Sequence, residues 1–225
     1  MEGDRFLLEK LAKYDAWMRE GKVPFGSQVV PVGEAFRPQQ WVLPTQQALE
    51  ILRNSRCFAL RPCACRSHYR RCRQPLETCL VTNDVAEAGI KAGDSRAISL
   101  AQAEEVLRLA DRHGLVHLAV YNPEQYVWAV CSCCPCCCYQ MQFLKKLGRA
   151  DLMARADYVA LRDDALCDHC GVCAGRCQFG AREQGPDGEV RFYPEKCYGC
   201  GLCVTTCRQA ANRLELRKLA GPQGT

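Results

Sequence analysis

The fold of this chain is decided by two short cysteine runs, CDHCGVCAGRC at residues 167–177 and CYGCGLCVTTC at residues 197–207. Each run has the spacing C-x2-C-x2-C-x3-C, and the second run repeats the first 30 residues later. Gly171 and Gly201 hold the same place in the two runs. A repeat with matched cysteine spacing is difficult to obtain by chance. We therefore interpret the two runs as the ligand loops of a paired metal site.

The spacing predicts two [4Fe–4S] clusters whose ligands cross between the runs. Three thiolates of one tight loop can converge on three irons of a cubane, and the fourth cysteine, in the helix that follows, ligates the other cluster. Zinc sites and spare thiols are the alternatives, but zinc favours two well-separated CxxC pairs. The expected ligands are Cys167, Cys170, Cys173 and Cys207 for the first cluster, and Cys197, Cys200, Cys203 and Cys177 for the second.

Residues 157–217 as a whole resemble the two-cluster bacterial ferredoxins. That family usually has proline after each fourth cysteine, whereas this chain has Gln178 and Arg208. Ligation should survive this change, because proline is not a ligand. An added N–H and a nearby cation stabilise the reduced form, so we expect a raised potential at the cluster nearest Arg208. The resemblance implies one-electron transfer through two [4Fe–4S] clusters.

Composition restricts the remaining function classes. The chain has 225 residues, 48% apolar and 24% charged, and a net charge of +5, which does not indicate the concentrated basic face of a nucleic-acid-binding protein. Nineteen cysteines approach the density of a disulfide scaffold, but Glu9, Lys10 and Lys13 interrupt the apolar core that a signal peptide needs. No apolar run reaches the length of a membrane span. We therefore expect a cytoplasmic protein whose cysteines serve metal or redox chemistry.

Eleven further cysteines lie outside the two runs. Four of them have the spacing C-x-C-x6-C-x6-C, six lie between residues 131 and 138, and Cys57 stands alone. Since four thiols suffice for one cubane, we predict one or two additional [4Fe–4S] clusters, with a redox-active thiol site and a zinc site as alternatives. The candidate ligands are Cys63, Cys65, Cys72, Cys79, Cys131, Cys133, Cys134, Cys136, Cys137 and Cys138.

Backbone geometry limits which of these thiols can meet. Adjacent side chains of an extended segment point to opposite faces, so alternate cysteines of the run at 131–138 can converge while Cys134 and Cys138 face elsewhere. The run can thus serve two sites, one of them centred on Cys63 and Cys65. Arginines also surround the first group, and cations of this kind lower thiol pKa values and suit an anionic cluster or partner. They are Arg61, Arg66, Arg70, Arg71 and Arg73.

The order of these motifs resembles a group of bacterial and archaeal ferredoxin-domain proteins over residues 41–215. The matching features are Cys63-x-Cys65-Arg66, Cys72, Pro75-x-Glu77-x-Cys79, Gly114-Leu115-Val116-His117 and the cysteine run that follows. In that group the run more often reads CNCCGCCC, and this chain has Ser132 and Pro135 in place of the asparagine and glycine. Proline removes an N–H, so a hydrogen bond to a cluster sulfur is expected to be lost.

Periodicity and capping signals predict an α+β fold. Helices are predicted at about residues 5–19, 45–53, 83–91, 99–113 and 139–147, and strands at about 57–60, 116–120 and 126–130. We expect residues 1–44 to form a helix and an extended arm, and residues 45–156 a cysteine-rich α/β module. Residues 157–217 should form the ferredoxin domain packed on this module, followed by a flexible tail at 218–225.

These features favour an electron carrier or an oxidoreductase subunit. The chain has no Gly-rich dinucleotide fingerprint and no P-loop, so it is expected to exchange single electrons with a partner oxidoreductase or another donor or acceptor protein. That chemistry requires no catalytic acid or nucleophile. A redox enzyme that reduces a disulfide or a small anionic substrate at the N-terminal cysteines is one alternative. A non-catalytic metal-binding scaffold is the other.

Overall fold

The computed structural model describes residues 4–30, 44–124 and 126–217. Its helices are α1 (Arg5–Arg19), α2 (Pro44–Arg53), α3 (Ala64–Tyr69), α4 (Asn83–Ala92), α5 (Leu100–Arg112), α6 (Tyr139–Leu147), α7 (Val172–Arg176) and α8 (Leu202–Thr205). Its strands are β1 (Ser27–Val30), β2 (Phe58–Pro62), β3 (Glu77–Thr82), β4 (Arg96–Ala97), β5 (Val116–Asn122), β6 (Tyr126–Cys133), β7 (Met153–Ala154), β8 (Tyr158–Arg162), β9 (Arg182–Gln184), β10 (Val190–Phe192) and β11 (Asn212–Leu216). This mixture of helix and strand agrees with the predicted α+β class.

Seven strands of the described chain form one sheet in the order β4-β2-β3-β6-β5-β1-β7. Neighbouring strands are antiparallel, except that β1 and β7 run parallel. Helices cover both faces, so β5 is buried along almost its whole length. Leu118 of β5 packs into a core with α1 and α6, whereas the next residue, Ala119, packs into a second core with α2 and α5.

Local sequence signals account for most helix boundaries. Ser99 Oγ accepts a hydrogen bond from the Gln102 N–H while the Gln102 side chain accepts one from the Ser99 N–H, and this predicted capping box begins α5. Helix α6 covers the predicted residues and ends at Gly148, whose φ is +67°. These helices were predictable because their signals lie within one or two turns.

Several elements differ from the sequence prediction, and they include β3, for which no strand was predicted. Strand β6 continues three residues further, to Cys133, because its pairing with β5 continues from Cys131 to Cys133, whereas its pairing with β3 ends at Cys131. Helix α3 occupies part of the cysteine- and arginine-rich stretch. Strand β1 lies within the predicted arm and pairs with β5. Residues 31–43 of that arm and the predicted tail at 218–225 lie outside the described residues.

The C-terminal part is framed by an antiparallel ladder between β8 and β11. Between these strands lie α7, the β9–β10 hairpin and α8. The apolar core on one side of the large sheet also contains side chains from this part, including Leu202 and Leu214. Arg176 adds a hydrogen bond from Nη1 to the main-chain oxygen of Arg112, at 3.1 Å. No helix of the described residues is long and apolar enough to cross a membrane.

Candidate metal centres

The two C-terminal cysteine runs form equivalent loop–helix units. Gly171 (φ +78°) and Gly201 (φ +82°) come directly before α7 and α8, in a left-handed conformation that favours glycine. The fourth cysteines are equivalent too, since each Sγ accepts a backbone N–H from four residues further on, at 3.3 Å. These sulfurs belong to Cys177 and Cys207, and such bonds stabilise a thiolate.

The structure brings cysteines of the two runs together. One cavity is lined by all four cysteines expected for the second cluster, Cys177, Cys197, Cys200 and Cys203. Burial raises the pKa of Cys203 to about 12, and the charge of Cys177 from the other run adds to the effect. In the first set, burial raises the pKa of Cys173, and Cys167 and Cys207 act as its charged neighbours. Each set therefore contains one cysteine from the opposite run.

The cavity of the second set fits an anionic group with several acceptor atoms. Arg182 lines it and is 2% exposed, yet its Nε and Nη1 atoms have no hydrogen-bond partner among the described residues. Its Nη2 donates to the Ala160 main-chain oxygen at 3.4 Å, but no carboxylate of the described residues pairs with it, and a buried cation without a counter-charge is costly. The sulfides and thiolates of an iron–sulfur cluster would supply both acceptors and compensating negative charge. The donor set and the cation therefore fit a cluster bound here.

Residues 160–208 match the family model of the 4Fe-4S dicluster domain. The matched dicluster domain contains all eight cysteines of the two runs. The C-terminal part of the chain is therefore a ferredoxin-type domain, and iron–sulfur electron transfer is the chemistry it supports. The match covers less than a quarter of the chain and includes none of the other eleven cysteines.

The two cysteine sets of the dicluster domain differ in exposure. Cys170 of the first set is exposed, and Leu166 and Val172 beside it are 53% and 49% exposed. Cys200, its equivalent in the second set, is only 8% exposed, and burial raises its pKa well above the usual value. The first set thus lies at the surface of the described chain, and the second is enclosed.

Sequence reasoning missed one polar position in this domain. Arg182 and Asn212 each follow a fourth cysteine by five residues, and each is 2% exposed. Asn212 donates its side-chain amide to the main-chain oxygen of Cys203 at 3.0 Å. The signal available in the sequence was a polar residue at the same place in both halves of the repeat. Buried polar side chains are hydrogen-bonded, so this repetition indicates a hydrogen-bond partner near the cysteines.

Four N-terminal cysteines form a compact group, the four-thiol set. It consists of Cys72, Cys134, Cys136 and Cys137, whose Sγ atoms all lie within 4.8 Å of one another. The Cys72 sulfur lies 3.8 Å from those of Cys134 and Cys137. The turn directly after β6 supplies three of these thiols, and the segment between α3 and β3 supplies the fourth.

The distances in the four-thiol set match a single tetrahedral ion. Four sulfurs bound at about 2.3 Å to one zinc lie about 3.8 Å apart. Sulfurs bound to the four corners of a cubane lie roughly 6 Å apart, because each binds a different iron. In the described chain, the dicluster cysteines form no group within 4.8 Å, whereas the four-thiol set does. The geometry thus favours the zinc alternative over an additional cluster at this set.

Six other N-terminal cysteines form a continuous line, the six-thiol row. Electrostatic interactions connect neighbouring thiols in the order Cys63, Cys65, Cys138, Cys133, Cys131, Cys79. The Sγ atoms of Cys79 and Cys131 are 3.6 Å apart. Burial opposes ionisation of Cys138, but hydrogen bonds from Cys133 and Cys65 lower its pKa to about 6. Hydrogen bonds from Cys133 and Cys79 likewise lower the pKa of Cys131.

The grouping differs from the one that cysteine spacing suggested. Spacing placed Cys72 with Cys63, Cys65 and Cys79, whereas helix α3 and the segment after it bring Cys72 to the turn that follows β6. Cys134 was expected to face away from its neighbours, but the strand ends at Cys133 and the turn brings its sulfur into the four-thiol set. Cys138 was also expected to face away, but it interacts with Cys133 and Cys65 in the six-thiol row. The run at 131–138 thus contributes thiols to both groups.

A buried arginine lies between the two groups. Arg66 is 2% exposed, donates from Nη1 to the Ser132 main-chain oxygen at 2.9 Å, and donates from Nη2 to Thr78 Oγ1. Its Nη1 also lies 4.0 Å from Cys134 Sγ in the four-thiol set. Burial works against its charge, but the nearby Cys63 and Cys134 sulfurs keep its pKa above the usual value. Arg66 therefore offsets negative charge in both groups.

Among the described residues, Cys57 forms no hydrogen bond with a thiol of either group, although it packs against the apolar cluster that contains Cys79. Its thiol donates to the main-chain oxygen of Asn83, at 3.6 Å, and to the carboxylate of Glu87. All 19 cysteines lie within the described residues, and all are free thiols. Cys57 thus provides a control position for experiments on the other eighteen.

Proposed function

We propose that this chain is an electron-transfer protein whose dicluster domain carries single electrons between a partner oxidoreductase and the cysteine-rich module. Residues 157–217 form the domain in this proposal, residues 45–156 the module, and the crossed cysteine sets hold two [4Fe–4S] clusters. The observation that carries it is a shared core: Cys133 and Cys138 of the six-thiol row pack in the same apolar cluster as Cys200 and Cys203. The shared core provides packed protein through which electrons can pass between the domain and the module.

The exposed first cluster site is the proposed entrance for the partner's electrons. Cys170 is accessible there, and the exposed Leu166 and Val172 lie beside it in the sequence. A small apolar surface of this kind suits a transient protein contact. The enclosed second site is proposed to pass electrons inward.

Direct hydrogen bonds support a fixed path from the second site to the module. Gln178 follows the ligand Cys177, and its side-chain amide donates to the Gly114 main-chain oxygen at 3.2 Å. Lys145 of α6 donates to the Gln178 main-chain oxygen at 2.8 Å. Proline at this position, as in the bacterial ferredoxins, would lack the side-chain bond. Gln178 therefore anchors the second cluster loop to the module.

The six-thiol row is the proposed inner electron acceptor or donor. Cys79 and Cys131 are direct partners across β3 and β6, with sulfurs 3.6 Å apart. This Sγ–Sγ distance is shorter than the distance between two cysteine ligands of one cubane. A small movement of the two side chains would allow an S–S bond of about 2.05 Å. Oxidising two thiols to a disulfide releases two electrons and two protons. Two one-electron clusters together accept that pair of electrons.

We assign the four-thiol set to one zinc ion, on the sulfur distances given above. A tetrahedral S4 site is typical of zinc or of iron held by thiolates, and a closed four-ligand site is typical of structural zinc. This ion would join the turn after β6 to the segment after α3. It would fix the position of the neighbouring six-thiol row, and zinc does not itself change oxidation state.

Metal analysis of protein purified without oxygen tests these assignments. We expect about eight irons, eight acid-labile sulfides and one zinc per chain. About twelve irons with one zinc would instead place a third cluster on the six-thiol row. About twelve irons without zinc would overturn the zinc assignment. After mild thiol oxidation, coulometric reduction should take up about four electrons per chain, and uptake of only two would remove the thiols from the electron path.

Paired substitutions test the crossed ligation. Cys177→Ala, Cys173→Ala and Cys200→Ala are each expected to lose about four irons. Cys177→Ala combined with Cys200→Ala should still lose only about four, because both residues serve the second cluster. Cys177→Ala combined with Cys173→Ala should lose about eight. The opposite result for the two double variants would show that each run holds its own cluster.

A further inference from the structure

A cavity of about 270 Å³ lies beside the six-thiol row. One face of α1 forms one wall, and residues of β2, α3, α4, β5, β6 and α6 form the others. Cys65, the second member of the six-thiol row, lines the cavity directly. The cavity therefore gives a small molecule access to this end of the row.

The cavity is lined by cations without balancing acids. Lys10, Lys13 and Arg61 contribute three positive charges, and no aspartate or glutamate lines the cavity. None of the three forms an ion pair with a carboxylate among the described residues. The charges come from two separate elements, α1 and β2, which fold together at this point. A concentrated positive charge in a partly enclosed site favours an anion.

Aromatic rings form much of the remaining surface. Lys13 Nζ lies 4.4 Å from the ring centre of Trp17, and Lys10 Nζ lies 5.5 Å from that of Phe6. These cation–π contacts position the ammonium groups while leaving their other N–H donors available. Trp128 and Tyr139 add further ring surface. Flat apolar walls beside fixed cations suit a ligand with a planar apolar body and one anionic group.

We propose that this cavity binds a small aromatic carboxylate, or a molecule with the same combination of planar ring and single negative charge, next to Cys65. Lys10 and Lys13 hold the anionic group, and the rings of Phe6, Trp17 and Trp128 contact the planar body. The proposal goes beyond the electron-transfer function, and the cavity residues apart from Cys65 are not metal-ligand candidates. A ligand bound here lies against Cys65 of the six-thiol row, which is proposed to exchange electrons with the clusters.

Binding of 2-naphthoate tests the proposal, measured by equilibrium dialysis on protein whose iron and zinc contents have been verified. The neutral 2-naphthamide serves as the matched ligand without charge. We expect the carboxylate to bind at least about tenfold more tightly than the amide. The double variant Lys10→Gln, Lys13→Gln should lose about tenfold in affinity for the carboxylate and bind the amide like the unmodified chain.

Lys91→Gln is the control, since Lys91 is exposed on α4 and does not line the cavity. It should leave both affinities and both metal contents unchanged. Equal affinity for the two ligands, or equal carboxylate affinity in the Lys10/Lys13 and Lys91 variants, would overturn the proposal. Because metal contents are measured in the same samples, failure here is distinguishable from failure of the metal assignments.

Discussion

Cys137→Ser is expected to reduce the zinc content from about one per chain to nearly zero while about eight irons remain. The Cys137 sulfur lies 3.8 Å from that of Cys72 and within 4.8 Å of the other two sulfurs, so its removal leaves an incomplete tetrahedron. Since structural zinc contributes directly to folding, stability should fall by several kcal/mol. Metal analysis and urea unfolding, both without oxygen, measure the two effects.

Cys57→Ser is the matched control, because its thiol donates to a main-chain oxygen and a carboxylate and is not part of the four-thiol set. It should retain full zinc and iron and unfold at nearly the same urea concentration. A loss of about four irons in Cys137→Ser, in place of zinc, would mean that the four-thiol set holds a cluster. Unchanged metal content would show that Cys137 is not a ligand.

Gly199→Ala is expected to disrupt the second cluster site and to cost more than about 3 kcal/mol of stability. Gly199 has a φ of +75° and lines the cavity of Cys197, Cys200 and the other second-set thiols. An added Cβ would lie far inside van der Waals contact with the main-chain oxygen of Tyr158, and the β8 backbone cannot easily yield. Iron content should therefore fall towards about four per chain.

Gly148→Ala separates the steric effect from the backbone effect. Gly148 has a similar φ of +67°, but an added Cβ there meets nothing within 4 Å. It should cost only about 1 kcal/mol and keep about eight irons. Similar losses in the two variants would contradict the close approach of Tyr158 to the cluster loop.

The dicluster domain was predictable from the sequence because its signals are local. Three expected ligands of each cluster lie within seven residues, and Gly171 and Gly201 hold the left-handed positions that begin α7 and α8. The same holds for α5, whose capping box lies within four residues. The sequence did not indicate that Cys170 is exposed and Cys200 is buried, because the two cysteines hold the same place in the repeated motif.

The sequence by itself thus determined the two cysteine loops of the dicluster domain and most helix ends, since each rests on spacing within one loop or turn. Only the tertiary structure decided which N-terminal thiols belong to the four-thiol set and which to the six-thiol row. Cys72 and Cys134 are 62 residues apart, and they meet because α3 and the β3–β6 register bring their segments together. A shift of one residue in that register would turn every β6 side chain to the opposite face. Long-range pairing of this kind is set by the packing of the whole sheet, which no local motif encodes.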